Sequence, residues 1–180
     1  MELSFLAEDS PRAAIGLLGA VITSIVGGET VSVRLTEVEA YLGRDDSASH
    51  AYRSRTARNE PMYGPPGTIY VYRSYGIHWC MNLVTGAVDD PQAVLLRGGS
   101  VVEGAQTVIG RRGRRDHLVD GPGKLTQALG VTGSDSGSTL GTGHIAITNL
   151  PVSELPYTTT SRIGITSGGD ALLRFVAVEP

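Results

Sequence analysis

The sequence predicts an α+β fold, one domain over residues 1–180 built on mostly antiparallel strands. Three observations lead there. A chain of 180 residues with 41% hydrophobic and 18% charged side chains and a mean hydropathy of +0.00 has apolar material for one core, and the balance excludes disorder. Short apolar runs alternate with turn residues, in keeping with 24 glycines. Few windows carry helix start and stop signals, and neither a repeat nor a linker divides the chain.

From the N-terminus, Asp9 caps a helix with Pro11 in its first turn, running to about Leu18. Val21 to Val26 reads as a strand, Gly27-Gly28 as a hairpin turn and Val31 to Tyr41 as the partner strand. Residues 43–67 have no period and are rich in Ser, Arg, Gly and Pro, and so long an irregular run inside a domain points to function. Thr68 to Tyr72 and Ile77 to Val84 form a second hairpin, followed by an apolar strand from Ala93 to Arg97. Ser100-Val101-Val102-Glu103 has capping-box spacing, which predicts a helix to about Gly110. Pro122 to Leu129 reads as another helix closed by Gly130, and Thr132 to Gly143 as a surface loop. His144 to Thr148, Arg162 to Thr166 and Leu172 to Val178 are the closing strands.

One cysteine, Cys80, rules out an intramolecular disulfide and fits a reducing compartment. The apolar stretch from Ala13 to Val26 is too short for a bilayer, and its acidic flank is wrong for a secretory signal, so a cytosolic protein is expected. The net charge of −3 argues against nucleic acid, but its distribution does not. Between Arg44 and Arg115 lie 10 basic and 6 acidic side chains, against 5 and 12 elsewhere. Two arginine clusters stand out: Arg53, Arg55 and Arg58, and Arg111, Arg112, Arg114 and Arg115. On charge alone these are either solvated faces or a phosphate-binding patch.

Candidate chemistry concentrates on two strands. A loop Ser74-Tyr75-Gly76 pairs Arg73 with Ile77 and, in that register, Tyr72 with His78. Ile69, Val71, Ile77, Trp79, Met81 and Leu83 then share a core face. Tyr70, Tyr72, His78, Cys80 and Asn82 share the other, a hydrogen-bonding aromatic wall suited to a flat polar ligand, with Tyr75 at the tip. Alternation along Val31 to Tyr41 places Val31, Val33, Leu35, Glu37, Glu39 and Tyr41 on one side, an apolar row running into two carboxylates. The opposite phase, with Val38 and Ala40 inward, leaves both carboxylates in water. Such carboxylates serve as general bases or as ion-pair partners. The four histidines have no metal-ligand spacing, and no phosphate loop or dinucleotide fingerprint is present, so no metal or cofactor is expected.

A family pattern runs through these residues. Glu37-Val38-Glu39-Ala40-Tyr41-Leu42-Gly43, His50, Arg58-Asn59, Met62-Tyr63 and Pro66-Gly67-Thr68-Ile69-Tyr70-Val71-Tyr72 belong to it. Tyr75-Gly76, Cys80-Met81-Asn82, Val94-Leu95-Leu96-Arg97 and Gly121-Pro122-Gly123-Lys124-Leu125 continue it in order. The chain resembles the alkyladenine (3-methyladenine) DNA glycosylases that lack a helix-hairpin-helix, over nearly its whole length. The resemblance implies a curved antiparallel sheet with a protruding hairpin that inserts into DNA. It implies Glu39 as general base activating a water against C1′ of a flipped nucleotide, Arg97 as a holder of that water, and the carbonyl of Ile163 as a third water ligand. Tyr41, His50 and Tyr72 would sandwich the base, the main chain at Ala48 and His50 would read its edge, and Asn82 would crowd the amino group of guanine. Tyr75 would fill the gap in the duplex. The implied partner is double-stranded DNA carrying a damaged purine. A monomer is expected because one domain can cover a lesion alone, in the cytoplasm and at the nucleoid in a bacterium.

Of the 15 basic residues only Lys124 is a lysine, and a strand-cleaving glycosylase attacks through an amine, so a monofunctional enzyme is expected. Three rival readings remain open, one of them a plain α+β interaction domain that would leave so many polar aromatics unexplained. A non-catalytic binder of damaged or flipped bases needs the aromatic wall but not Glu39, and a hydrolase of free nucleosides has no use for Tyr75 or the arginines.

Overall fold

Asp9 accepts the Arg12 amide at 3.0 Å and Pro11 stands in the first turn, so the helix α1 (Ser10–Leu17) starts where its orphan N–H groups are satisfied. The computed structural model describes residues 3–178. Eight strands follow, β1 (Val21–Val26), β2 (Glu29–Tyr41), β3 (Ile69–Ser74), β4 (His78–Thr85), β5 (Gln92–Glu103), β6 (Ile145–Asn149), β7 (Tyr157–Thr160) and β8 (Arg174–Ala177). Two more helices, α2 (Ala105–Arg112) and α3 (Pro122–Leu129), lie between β5 and β6. All described ladders are antiparallel, in the order β3-β4-β5-β2-β1-β6, with β8 pairing the C-terminal half of β2 and β7 pairing β8. The fold is α+β, as the sequence predicts.

One face of the sheet carries the main core. Val31, Val33 and Leu35 of β2, Met81 and Leu83 of β4, and Val94 and Leu96 of β5 pack there with Leu17 of α1 and Leu125 and Leu129 of α3. Truncating any of these leucines to alanine removes about 2–5 kcal/mol. The other face carries a smaller cluster of Ala51, Met62, Tyr63, Tyr70, Val84 and Ala93, closed over by residues 43–67. That segment contains only two 3₁₀ turns, Gly43–Asp45 and Glu60–Tyr63, in agreement with its lack of period.

The two faces exchange on β2 and β5 at a double bulge. Leu35 pairs with Gly99 and Glu37 with Gly98, leaving Thr36 extra; Val38 then pairs with Leu96, leaving Arg97 extra. The extra residue inverts the phase of each strand. On β2 the core therefore takes Val31, Val33 and Leu35 and then Val38 and Ala40. The expected single row is corrected, because Glu37, Glu39 and Tyr41 leave the core side after the bulge. They do not enter water either: residues 43–67 and 161–173 cover that face, and Glu39 is 0% exposed.

Three other expectations are corrected. Ser100 to Glu103 extends β5 beside β2 instead of opening a helix; α2 starts after Gly104, whose φ of 78° makes the turn. Pairing with a neighbouring strand outweighs a local capping signal there. Arg162 to Thr166 is irregular, and the strand in that region is β7, whose Tyr157 and Thr159 pair with Ala177 and Phe175. The β3–β4 hairpin pairs Ser74 with His78 and Tyr72 with Cys80, two residues off the expected register. A two-residue offset returns each side chain to the same face, so Tyr70, Tyr72, Cys80 and Asn82 still share a side. The hairpin ends, however, project beyond the core: Ile77 is 67% exposed and His78 is exposed as well.

Candidate active site

The double bulge, the β3–β4 hairpin and the two covering segments enclose a cleft of about 510 Å³. Tyr41, His50, Tyr70 and Tyr72 supply its rings, Arg58, Arg73 and Arg97 its cations, and Cys80 and Asn82 part of its floor. His50 and Tyr72 stand in edge-to-face contact with ring centroids 4.5 Å apart, so they form one wall. His50 Nδ1 pairs with the Tyr70 hydroxyl at 2.9 Å. Burial and then the nearby Arg58 push the His50 pKa down, which favours the neutral ring, whereas burial pushes Tyr70 up to about 12. Burial raises the Tyr72 phenol and the Cys80 thiol too, so the wall is uncharged at neutral pH.

Glu39 lies under this lining. Its Oε1 accepts the Ile163 amide at 2.8 Å and faces Arg97 Nη1 at 3.3 Å; its Oε2 accepts the Tyr41 hydroxyl at 3.0 Å. Burial foremost, then the Glu39 charge, holds the Tyr41 pKa far above its ordinary value, so Tyr41 remains a donor. The two hydrogen bonds take one acceptor position on each oxygen and the Arg97 contact lies beside Oε1, so a position stays open on Oε2. Glu37 sits one bulge away, its Oε1 accepting Arg97 Nε at 2.9 Å and Arg174 Nε at 2.6 Å.

A buried ion pair fixes the rim. The Arg162 guanidinium meets both Asp46 oxygens at 2.5 and 2.8 Å, donates to the Ala40 carbonyl at 2.9 Å and lies 4.6 Å from the Tyr41 ring centre. Burial opposes ionisation of Asp46, but Arg162 and the amides of Ala48 and Leu42 outweigh it and hold the carboxyl below its ordinary range. The Ala48 amide is thereby committed to Asp46, and the His50 carbonyl accepts Asn59 Nδ2 at 2.9 Å. Among the described hydrogen bonds the Ala48 carbonyl and the His50 amide take part in none.

This geometry meets the comparisons with known proteins. The pattern of the family described as methylpurine-DNA glycosylase (MPG) matches residues 4–179. The chain belongs to the methylpurine-DNA glycosylase family. It is 50% identical to a protein of Frankia casuarinae over 139 residues, 76% of this chain and 66% of that one. It is 43% identical to one of Methanoculleus marisnigri over 180 residues, covering 96% and 92%, and 43% to one of Corynebacterium glutamicum, covering 97% and 82%. All three bear the name "Putative 3-methyladenine DNA glycosylase". Membership makes this chain a DNA glycosylase of base-excision repair, a hydrolase of the N-glycosidic bond in DNA whose family acts on alkylated purines.

In this methylpurine-DNA glycosylase the structure gathers Tyr41, Ala48, His50, Tyr72, Asn82, Arg97 and Ile163 around the cleft, with Glu39 beneath. The amide of Ile163 donates to Glu39 Oε1. Asn82 is oriented by its Nδ2 bond to the Tyr70 carbonyl at 3.1 Å. Tyr75 borders the cleft and is 87% exposed at the hairpin tip, while His78 lies outside the lining. The arginine clusters divide. Arg53 is exposed with no carboxylate partner among the described residues, and Arg58 faces the Tyr72 ring at 5.7 Å. Arg55 is held by Glu60 and Asp89, and Arg114 by Asp116. Arg111 closes helix and strand ends through the carbonyls of Ala128 and Val26, and Arg112 binds Gln127, whereas Arg115 is exposed. None of the Arg111 to Arg115 group lines the cleft. Sequence reasoning missed Asp46, Arg162 and Arg174. Asp46 and Arg162 are 116 positions apart and no shared pattern links their segments, so only the fold joins them. Among the described residues no group of three His, Cys, Asp or Glu side chains is placed to hold a metal, and no helix is long and apolar enough to cross a membrane.

Proposed function

We propose that the cleft takes one damaged purine rotated out of duplex DNA and that Glu39 deprotonates the water that releases it. The observation that carries this reading is the Glu39 carboxylate, 0% exposed beneath an aromatic cleft and gripped by Arg97, Tyr41 and Ile163. The base stacks between Tyr41 and the His50–Tyr72 wall, and the Ala48 carbonyl and His50 amide meet its edge. Water at the open position of Glu39 Oε2 attacks C1′. The new C1′–O bond forms, the C1′–N bond breaks with its electron pair leaving on the base, and the water proton passes to Glu39. A base made cationic by alkylation departs neutral. Glu39 is sealed from bulk solvent here, so the reading requires Tyr41 or the Ile163 segment to yield as the base enters.

Tyr75, exposed and bordering the cleft, fills the place the base vacates. Arg58, on the cleft lining, and the exposed Arg53 meet phosphates. The enzyme is monofunctional: no lysine lines the cleft, and Lys124 pairs with Asp120 at 3.0 Å, so no side-chain amine is placed to form a Schiff base. It works as a cytoplasmic monomer. The test is base release from duplexes carrying hypoxanthine, ethenoadenine or methylated purines, with alkali added only afterwards. Wild type releases base and leaves the strand intact; Glu39→Gln releases none yet still binds. Release by Glu39→Gln at the wild-type rate refutes the assignment, and strand breaks before alkali refute monofunctional action.

A further inference from the structure

We infer that Glu37 is a positioning residue: its carboxylate holds Arg97 through Nε and so keeps the guanidinium from pairing fully with Glu39. The inference rests on the reading of Glu39 as the group that takes the proton. Four charged groups alternate in sign across three strands, Arg174 on β8, Glu37 and Glu39 on β2, and Arg97 on β5. Glu37 Oε1 receives both Arg174 Nε at 2.6 Å and Arg97 Nε at 2.9 Å. Arg174 is braced in turn by its Nη1 bond to Thr160 Oγ1 at 2.9 Å. Arg97 Nη1 therefore reaches Glu39 only at 3.3 Å, longer than the about 2.7–2.9 Å of a full charge-assisted bond. The side chains of Glu37 and Arg97 are only 20% and 12% exposed, so each charge acts at close range with little screening.

Two carboxylates thus compete for one guanidinium, and the double bulge puts both within its reach. Without the Glu37 charge, Arg97 would turn its fork onto Glu39, weakening it as a proton acceptor and blocking the water. Glu39 is also faced by Tyr41 on its own strand, Tyr72 on β3, Cys80 on β4, Arg174 on β8 and Arg162 from the covering segment. A Glu37 variant leaves all of these in place.

The experiment is single-turnover base release from a lesion duplex across pH, with DNA affinity and melting temperature measured alongside. Glu37→Gln keeps the shape and an acceptor oxygen. It is expected to slow release at neutral pH by about tenfold to a hundredfold, with DNA affinity within twofold of wild type. The acid limb of its pH–rate profile moves to lower pH, and Glu37→Asp moves it back. Arg174→Gln removes a cation that also faces Glu39, so it moves the limb the opposite way whether or not Glu37 acts through Arg97; the assignment turns on Glu37→Gln, whose loss of rate persists on the plateau above the limb. A Glu37→Gln plateau rate equal to wild type, or rates that merely follow melting temperature, overturns the inference. Glu39→Gln in the same series separates the two claims. If it still releases base, the Glu39 reading fails; if it is inactive while Glu37→Gln behaves as wild type, only the Glu37 role fails.

Discussion

Tyr75 has 87% of its surface in solvent, so Tyr75→Ala costs folding almost nothing, within about 0.5 kcal/mol. The same change is expected to weaken binding to a lesion duplex and slow excision there, while release from a single strand, where no stack must be held open, is less affected. Equal loss on both substrates counts against the wedge. Arg53 and Arg55 make a second contrast, two positions apart and both exposed. Arg55 is matched by Glu60 and Asp89, and Arg53 by no described carboxylate. Arg53→Ala should therefore reduce the salt dependence of DNA affinity by about one unit of slope, and Arg55→Ala by much less. Equal slopes would show that the Arg55 pairs open on DNA. At this scale the sequence was informative about residue type and silent about partnership, because neighbouring arginines in the chain look alike until the fold supplies their carboxylates.

Between the strands, the double bulge at Thr36 and Arg97 decides what the site can be. It depends on Gly99, where an added Cβ would lie 2.1 Å from the Arg34 carbonyl oxygen. Gly99→Ala must push β2 and β5 apart at that point. We expect a loss of at least about 2 kcal/mol in denaturant unfolding and, in what remains folded, a larger loss of excision than of DNA binding. Unchanged stability would mean that the bulge tolerates the side chain. The hairpin faces were legible in the sequence because a two-residue error in register leaves every side chain on its own side. The bulge was not, since one surplus residue inverts a strand without altering its composition. Glu39 drew attention through an alternation that ends at Leu35, four residues before it, and its burial comes from segments that alternation could not place.

Across the whole molecule, the Asp46–Arg162 pair ties the segment after β7 to the segment after β2, over 116 positions. Breaking it on one side leaves a buried guanidinium without its partner, so Asp46→Asn is expected to cost about 3–5 kcal/mol. The pair also sets a pH dependence. Asp46 titrates below its ordinary 3.8 in the folded state, so its stabilisation is complete above about that pH and is lost as pH falls through the lower folded value. Acid titration followed by circular dichroism should show wild type losing stability in that range and Asp46→Asn, already weakened, losing less. A parallel decline would place the acid sensitivity elsewhere. The hairpin tip bears on selection instead. Tyr75 holds φ at 49°, a left-handed conformation that a non-glycine residue adopts at a cost of about 1–2 kcal/mol, and it recovers nothing by packing. A library screened for heat resistance without DNA should accordingly enrich glycine at this position, and its most heat-resistant members would be the ones least able to keep a lesion open.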